Sequence, residues 1–167
     1  FNLLGPLTNP AGAAFQIVGA SRTTMAELLA GALAELGVQR AFVVCGNNEL
    51  DEVALWGETA LFEVHRGKVT RQTWTPTDLG LPVVDVATLR VDGPQESAAV
   101  IQSVFAGKHG PARDMVLANA AAALMAAEKV ATPREGVALA QTVIDSGAVA
   151  SLLERFVAKT HSLSRMP

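Results

Sequence analysis

"FQIVGASRTTMAELLAGALAELGVQRAFVVCG", residues 15–46, is the stretch that decides the fold. Residues 15–19 are a short apolar run with branched side chains, which reads as a buried strand. "ASRTTM" then opens a helix near Thr23 or Thr24. Met25, Leu28, Leu29, Leu33 and Leu36 recur at helical spacing until Gly37 stops the pattern. "AFVVCG" at 41–46 is a second buried strand. A strand, a helix and a strand joined by short turns predict a right-handed crossover with parallel strands, and hence an α/β fold.

Beyond this unit, "ALFEV" (60–64) and "VTRQTW" (69–74) flank "HRGK", a pattern that predicts a hairpin turning at Arg66-Gly67. "TPTDLGLP" (75–82) is a turn-rich connection. Helices are expected over about 94–106, 113–129, 133–146 and 148–160. Thr132 supplies a cap and Pro133 a first-turn proline for the third of these, and Gly147 ends it. The alanine-rich "LANAAAALMAA" at 117–127 has small residues on every side, which suits close helix packing. No internal repeat or linker divides the chain, so residues 1–167 read as one domain or part of one.

At 167 residues the chain can bury a substantial core. It is 50% hydrophobic and only 17% charged, with a mean hydropathy of +0.30. That is rich in apolar groups for an independent domain, and some of the surplus is expected to meet further sequence or a partner. A net charge of -3 argues against a nucleic-acid partner. Cys45 is the single cysteine, which excludes an internal disulfide and fits a reducing compartment. The longest apolar run, Met115 to Ala127, is too short to span a bilayer and contains Asn119, so a cytoplasmic protein without a membrane partner is expected.

Chemistry is expected where the second strand ends, because ligands of open α/β sheets settle beyond the carboxyl ends of parallel strands. That edge carries "CGNNELDEVALWG". Gly46 lets the backbone turn, Asn47 and Asn48 tolerate unusual dihedrals, and the acidic pair Asp51-Glu52 follows. Magnesium is commonly held by one or two carboxylates together with waters and substrate phosphates, so this pair is a candidate anchor. The alternative is a solvated acidic turn capping a helix that starts near Asp51.

No G-x-x-x-x-G-K-[ST] or G-x-G-x-x-G phosphate cradle is present. "GASRTT" (19–24) with Arg22 is the nearest anion-binding candidate, and an ordinary helix cap with a surface arginine is the simpler reading. His65, His109 and His161 share no ligand spacing with Cys45 and read as surface residues. Cys45 has no basic neighbour to activate it and reads as an inert buried thiol. Asn119, alone on an apolar helix, is expected to hydrogen-bond a neighbouring backbone group. Trp56 and Trp74 read as core or interface aromatics.

"FNLLGPLTNPAG" (1–12) resembles the mid-chain loop of anthranilate phosphoribosyltransferases, of the form F-N-x-L-G-P-L-x-N-P. "GNNELDEVALWG" is similar to that family's acidic G-x-D-G-L-D-E segment, "TPTDLGLP" to its post-hairpin turn, and "ARDMVLANAAAAL" to its R-D-x-V-x-x-N-A-A helix. "EGVALAQTVIDSGAV" resembles its penultimate helix. The similarity runs in order along essentially all 167 residues. It departs at Asn48-Glu49, where Asp-Gly is usual, and at Cys45, where His is frequent.

The resemblance implies transfer of a phosphoribosyl group from phosphoribosyl pyrophosphate to anthranilate, an early step of tryptophan biosynthesis, in a homodimer. It implies Mg2+ as cofactor, with Asp51 and Glu52 as the matching metal-binding pair. It places no catalytic or substrate-binding residue within this chain: the phosphate loop and an anthranilate-contacting arginine would precede Phe1. The chain is thus expected to be the C-terminal part of an α/β domain lacking its N-terminal portion, and inactive alone. The expected architecture is a three-layer sandwich with a largely parallel sheet, a β-hairpin and a C-terminal set of helices. Two rivals are a pyrimidine nucleoside phosphorylase-like enzyme and a non-enzymatic, nucleic-acid-binding relative of the same fold.

Overall fold

The computed structural model describes residues 4–164; Phe1, Asn2 and Leu3 of the opening motif lie outside the described residues. Its first strand, β1, spans Phe15–Gly19, helix α1 Thr23–Glu35 and strand β2 Arg40–Gly46. β1 pairs with β2 in parallel, Phe15 opposite Arg40 through Gly19 opposite Val44. Strands β3 (Thr59–His65) and β4 (Lys68–Trp74) form the expected hairpin, and β3 pairs antiparallel with β2. Arg66 and Gly67 both have positive φ, 50° and 77°, the backbone that a two-residue hairpin turn needs to follow the twist of its strands.

Two expectations about the sheet are corrected. It is not largely parallel: its order is β1-β2-β3-β4, with one parallel and two antiparallel pairings among the described residues. The hairpin, rather than a second crossover unit, extends it from β2. Nor is β1 a buried strand, since Phe15 and Ile17 are exposed. Among the described residues it lies at the sheet edge, and Val18 alone of its side chains joins the core there.

β2 shows why the fold has three layers. Every residue from Ala41 to Gly46 is buried, and alternate side chains serve opposite faces. Ala41, Val43 and Cys45 pack in one cluster with Ala26, Leu29, Ala30 and Leu33 of α1. Phe42 and Val44 pack in the other with Leu117, Ala118 and Ala121 of helix α4 (Pro111–Ala126). The buried face of α1 is therefore richer in alanine than the leucine spacing suggested, and Leu28 and Leu36 face outward. Trp74 is a core aromatic, as expected, meeting Phe42 edge-on at 6.0 Å between ring centres.

The other helices are α2 (Pro76–Leu79), α3 (Pro94–Phe105), α5 (Pro133–Asp145) and α6 (Ala148–Leu163), with a 3-10 turn at Val86–Leu89. α5 begins on a capping box in which Thr132 and Glu135 satisfy each other's backbone amides. Gly147, at φ 76°, separates it from α6. None of the described helices is by itself long and apolar enough to cross a membrane.

α4 and α5 approach so closely that a Cβ placed on Gly136 would lie 2.7 Å from the Ala121 Cβ and 2.8 Å from its Cα. The contact is with backbone, so relief requires the two helices to separate. Gly136→Ala is expected to destabilise by about 1–2 kcal/mol, overpacking outweighing a helix-propensity gain of about 1 kcal/mol. A denaturant midpoint at or above that of the parent would contradict this.

Arg113 is the largest fully buried side chain. It donates to the Gly107 carbonyl at 2.9 Å and to Asp145 Oδ1 at 2.6 Å, tying the start of α4 to the end of α5.

Candidate functional site

The two strands of the crossover unit both end in glycine, and the acidic segment lies directly across those ends. A Cβ on Gly19 would fall 1.8 Å from the Asp51 carbonyl oxygen. One on Gly46 would fall 2.6 Å from the Glu52 carbonyl oxygen and from the Ala54 Cβ. Only bare backbone at these positions permits that approach.

The loop reaches this place through a tight turn. Gly46 and Leu50 form a bridge, with Gly46 N–H donating to Leu50 O at 2.8 Å and Leu50 N–H returning to Gly46 O at 2.9 Å. Asn47 and Asn48 take left-handed backbone, φ 49° and 54°, which asparagine accepts more readily than most residues. Asn48 also reaches α1: its Oδ1 accepts the Thr23 amide at 2.9 Å, and its carbonyl accepts from Arg22 Nη1 at 3.0 Å. The "GASRTT" segment thus has one of its free amides occupied from within the protein, and Arg22 is an exposed residue tied to the acidic loop.

No helix begins at Asp51, so the helix-capping alternative for the acidic pair does not hold. Residues 51–58 are irregular, and Val53, Ala54 and Leu55 are buried while Asp51 and Glu52 remain exposed. The Leu55 carbonyl accepts from the Val84 amide at 2.8 Å, and the backbone of Val53 and Ala54 is met by side chains. Thr59 Oγ1 accepts the Ala54 amide at 3.0 Å. Asn119 of α4 accepts the Val53 amide on Oδ1 at 2.8 Å and donates from Nδ2 to the Val53 carbonyl at 3.2 Å and to Met115 O at 3.0 Å. Asn119 therefore does hydrogen-bond backbone as its isolation on an apolar helix suggested, and its main partner is the residue next to Glu52.

Asp51 and Glu52 line one cleft of about 500 Å³ together with Gly19, Val44, Met115 and Asn119. The cleft opens at the carboxyl ends of β1 and β2, where Gly19, Asp51 and Glu52 line it, and runs back between Ile17 and Val44 of the sheet and Val116 and Ala120 of α4; the strand ends are where ligands of α/β sheets settle. Among the described residues no three His, Cys, Asp or Glu side chains converge as a metal cage. A pair of exposed carboxylates with room in front of them fits a hard cation that keeps most of its coordination for water and phosphate oxygen, which is the habit of Mg2+.

The remaining singletons lie elsewhere. His65 sits at the opposite end of β2, opposite Arg40 and 4.0 Å from Glu128. His109 lies between α3 and α4, and His161 on α6. Cys45 is a buried free thiol. Trp56 is half-buried, and its indole N–H donates to Glu49 Oε1 at 2.9 Å. Glu49 carries no signal in the sequence beyond its place in the loop. The Trp56 indole first, and then the Asn47 amide, hold its carboxyl below the usual glutamate range.

A family model described as "Glycosyl transferase family, a/b domain" matches residues 1–150. The chain belongs to this glycosyl transferase family. Over 148 residues, 89% of its length, the chain is 51% identical to the anthranilate phosphoribosyltransferase of Solibacter usitatus, of which the match covers 44%. The crystal structure of anthranilate phosphoribosyltransferase from Thermus thermophilus superposes with a TM-score of 0.84 at 40% identity, covering 94% of this chain and 46% of that one. The Saccharomyces cerevisiae enzyme in complex with PRPP and Mg does so with a TM-score of 0.86 at 27% identity, covering 96% and 47%. The chain thus spans about half the length of the relatives it matches.

Proposed function

We propose that this chain is the C-terminal part, residues 1–167, of the α/β domain of an anthranilate phosphoribosyltransferase. The whole protein would transfer the phosphoribosyl group of phosphoribosyl pyrophosphate to anthranilate, giving N-(5-phosphoribosyl)anthranilate and pyrophosphate in tryptophan biosynthesis. The observation that carries this reading is the placement of Asp51 and Glu52 together in the cleft at the ends of β1 and β2, in a chain 51% identical to one such enzyme. Both substrates have counterparts in the yeast enzyme, whose structures include complexes with PRPP and Mg and with 4-fluoroanthranilate. A cytoplasmic homodimer is part of the same proposal, by resemblance to the family.

In this reading Asp51 and Glu52 would hold Mg2+, a cation commonly bound by one or two carboxylates. Bound there, Mg2+ would offset the charge that gathers on the departing diphosphate. The chain's own contribution is positional. Gly19 and Gly46 let the acidic segment lie on the strand ends, and Asn119 fixes it from below. The amine of anthranilate is itself the nucleophile, so the reaction needs no attacking side chain. Holding the reactants and charges in place is the main demand on the protein.

Asp51→Asn combined with Glu52→Gln tests this in the whole protein. The half-saturating Mg2+ concentration is expected to rise about ten-fold and turnover to fall accordingly. Unchanged Mg2+ dependence and unchanged rate would remove the pair from the metal site.

A further inference from the structure

We infer that Glu49 is a positioning residue for the acidic pair, and this deepens the metal-site reading above. A single oxygen of its carboxylate, Oε1, accepts from Asn47 Nδ2 at 2.8 Å and from Trp56 Nε1 at 2.9 Å. Asn47 stands on the outgoing arm of the loop and Trp56 on the returning arm, so the carboxylate joins the two across the exposed side. Asp51 and Glu52 lie on the stretch between those arms. Asn119 holds the same stretch from the buried side at Val53. The acidic pair is thereby gripped on both sides, once by a neutral amide from α4 and once by Glu49.

Glu49 does not line the cleft, so it is not itself a ligand in this arrangement. A supporting group of this kind acts by holding ligands near their productive geometry before the cation arrives, which raises affinity without adding a ligand.

Because both donors meet one oxygen, glutamine can replace glutamate and keep both contacts through its amide oxygen, whereas alanine keeps neither. In the whole protein, without metal or substrate, Glu49→Ala is expected to speed amide hydrogen exchange of Asn47 and Leu50. In turnover it is expected to raise the half-saturating Mg2+ concentration about five-fold, with the rate at saturating Mg2+ and the melting temperature unchanged. Glu49→Gln is expected to match the parent in both measurements. Faster exchange with unaltered Mg2+ dependence would overturn the inference, as would equal damage from Gln and Ala or no change in either variant. Should the Asp51→Asn, Glu52→Gln protein retain normal Mg2+ dependence, the metal reading fails by itself. The exchange measurement would still report whether Glu49 joins the two arms.

Discussion

Gly19→Ala is expected to lower phosphoribosyl transfer by the whole protein on the order of a hundred-fold while leaving most of the fold intact. The added methyl would stand 1.8 Å from the Asp51 carbonyl oxygen, 2.6 Å from its carbonyl carbon and 2.9 Å from its Cβ. Two of those three atoms are backbone, so no side-chain rotation relieves the overlap. The parallel ladder continues past this point, with the Ala20 amide donating to Val44 O at 2.9 Å, and β1 cannot easily withdraw. The acidic segment must yield instead, carrying Asp51 and Glu52 off the strand ends by an ångström or more. Displacement on that scale suffices to lose catalysis that depends on placement. Far-ultraviolet circular dichroism close to the parent's, with the Mg2+ requirement raised and turnover collapsed, is the expected pattern. A Gly19→Ala protein of normal activity would show that the acidic pair does not act from this position.

Asn119→Leu is expected to cost about 3 kcal/mol of stability and to raise the half-saturating Mg2+ concentration about ten-fold or more. The leucine fills similar space on α4 but offers no partner to Val53, whose amide and carbonyl are otherwise buried with that residue. A buried backbone group left without a hydrogen bond carries its full desolvation cost. Asn119→Asp separates the two halves of the contact. Its carboxylate still accepts the Val53 amide, but it faces the Val53 carbonyl without a proton and adds negative charge beside Asp51 and Glu52. Its stability is expected to lie between those of the parent and the leucine variant. Thermal unfolding together with Mg2+ titration of turnover distinguishes these outcomes. Parental behaviour of the leucine variant in both would show that Val53 needs no such support.

Much of this was readable along the chain because the signals are local. Gly37, Gly67 and Gly147 all adopt the positive φ that their roles as helix stop or turn require. Thr132-Pro133 starts a helix with its capping box in place. The hairpin turns at Arg66-Gly67, where Gly67 readily takes the positive φ that the turn needs. The adjacency of Asp51 and Glu52 was visible for the same reason.

Distance in sequence hid the rest. Whether β1 is buried depends on what lies beside it, and an apolar run reads alike at the centre of a sheet and at its edge. The direction of β3 depends on how residues 47–58 turn back, which turns on contacts to Thr23, Thr59 and Asn119. Glu49 gives no local sign of its role, because its partner Trp56 is seven residues away in an irregular segment.

By itself, the order of residues determined the crossover unit, the hairpin, the starts of α3, α5 and α6 and the presence of an acidic pair, since each rests largely on backbone preference and local pattern. Only the tertiary structure decided that the pair faces a cleft. That outcome needs Gly19, Gly46 and Asn119, from two strands and a helix, to converge on one stretch of backbone, and short-range preferences carry no information about which distant segments will meet.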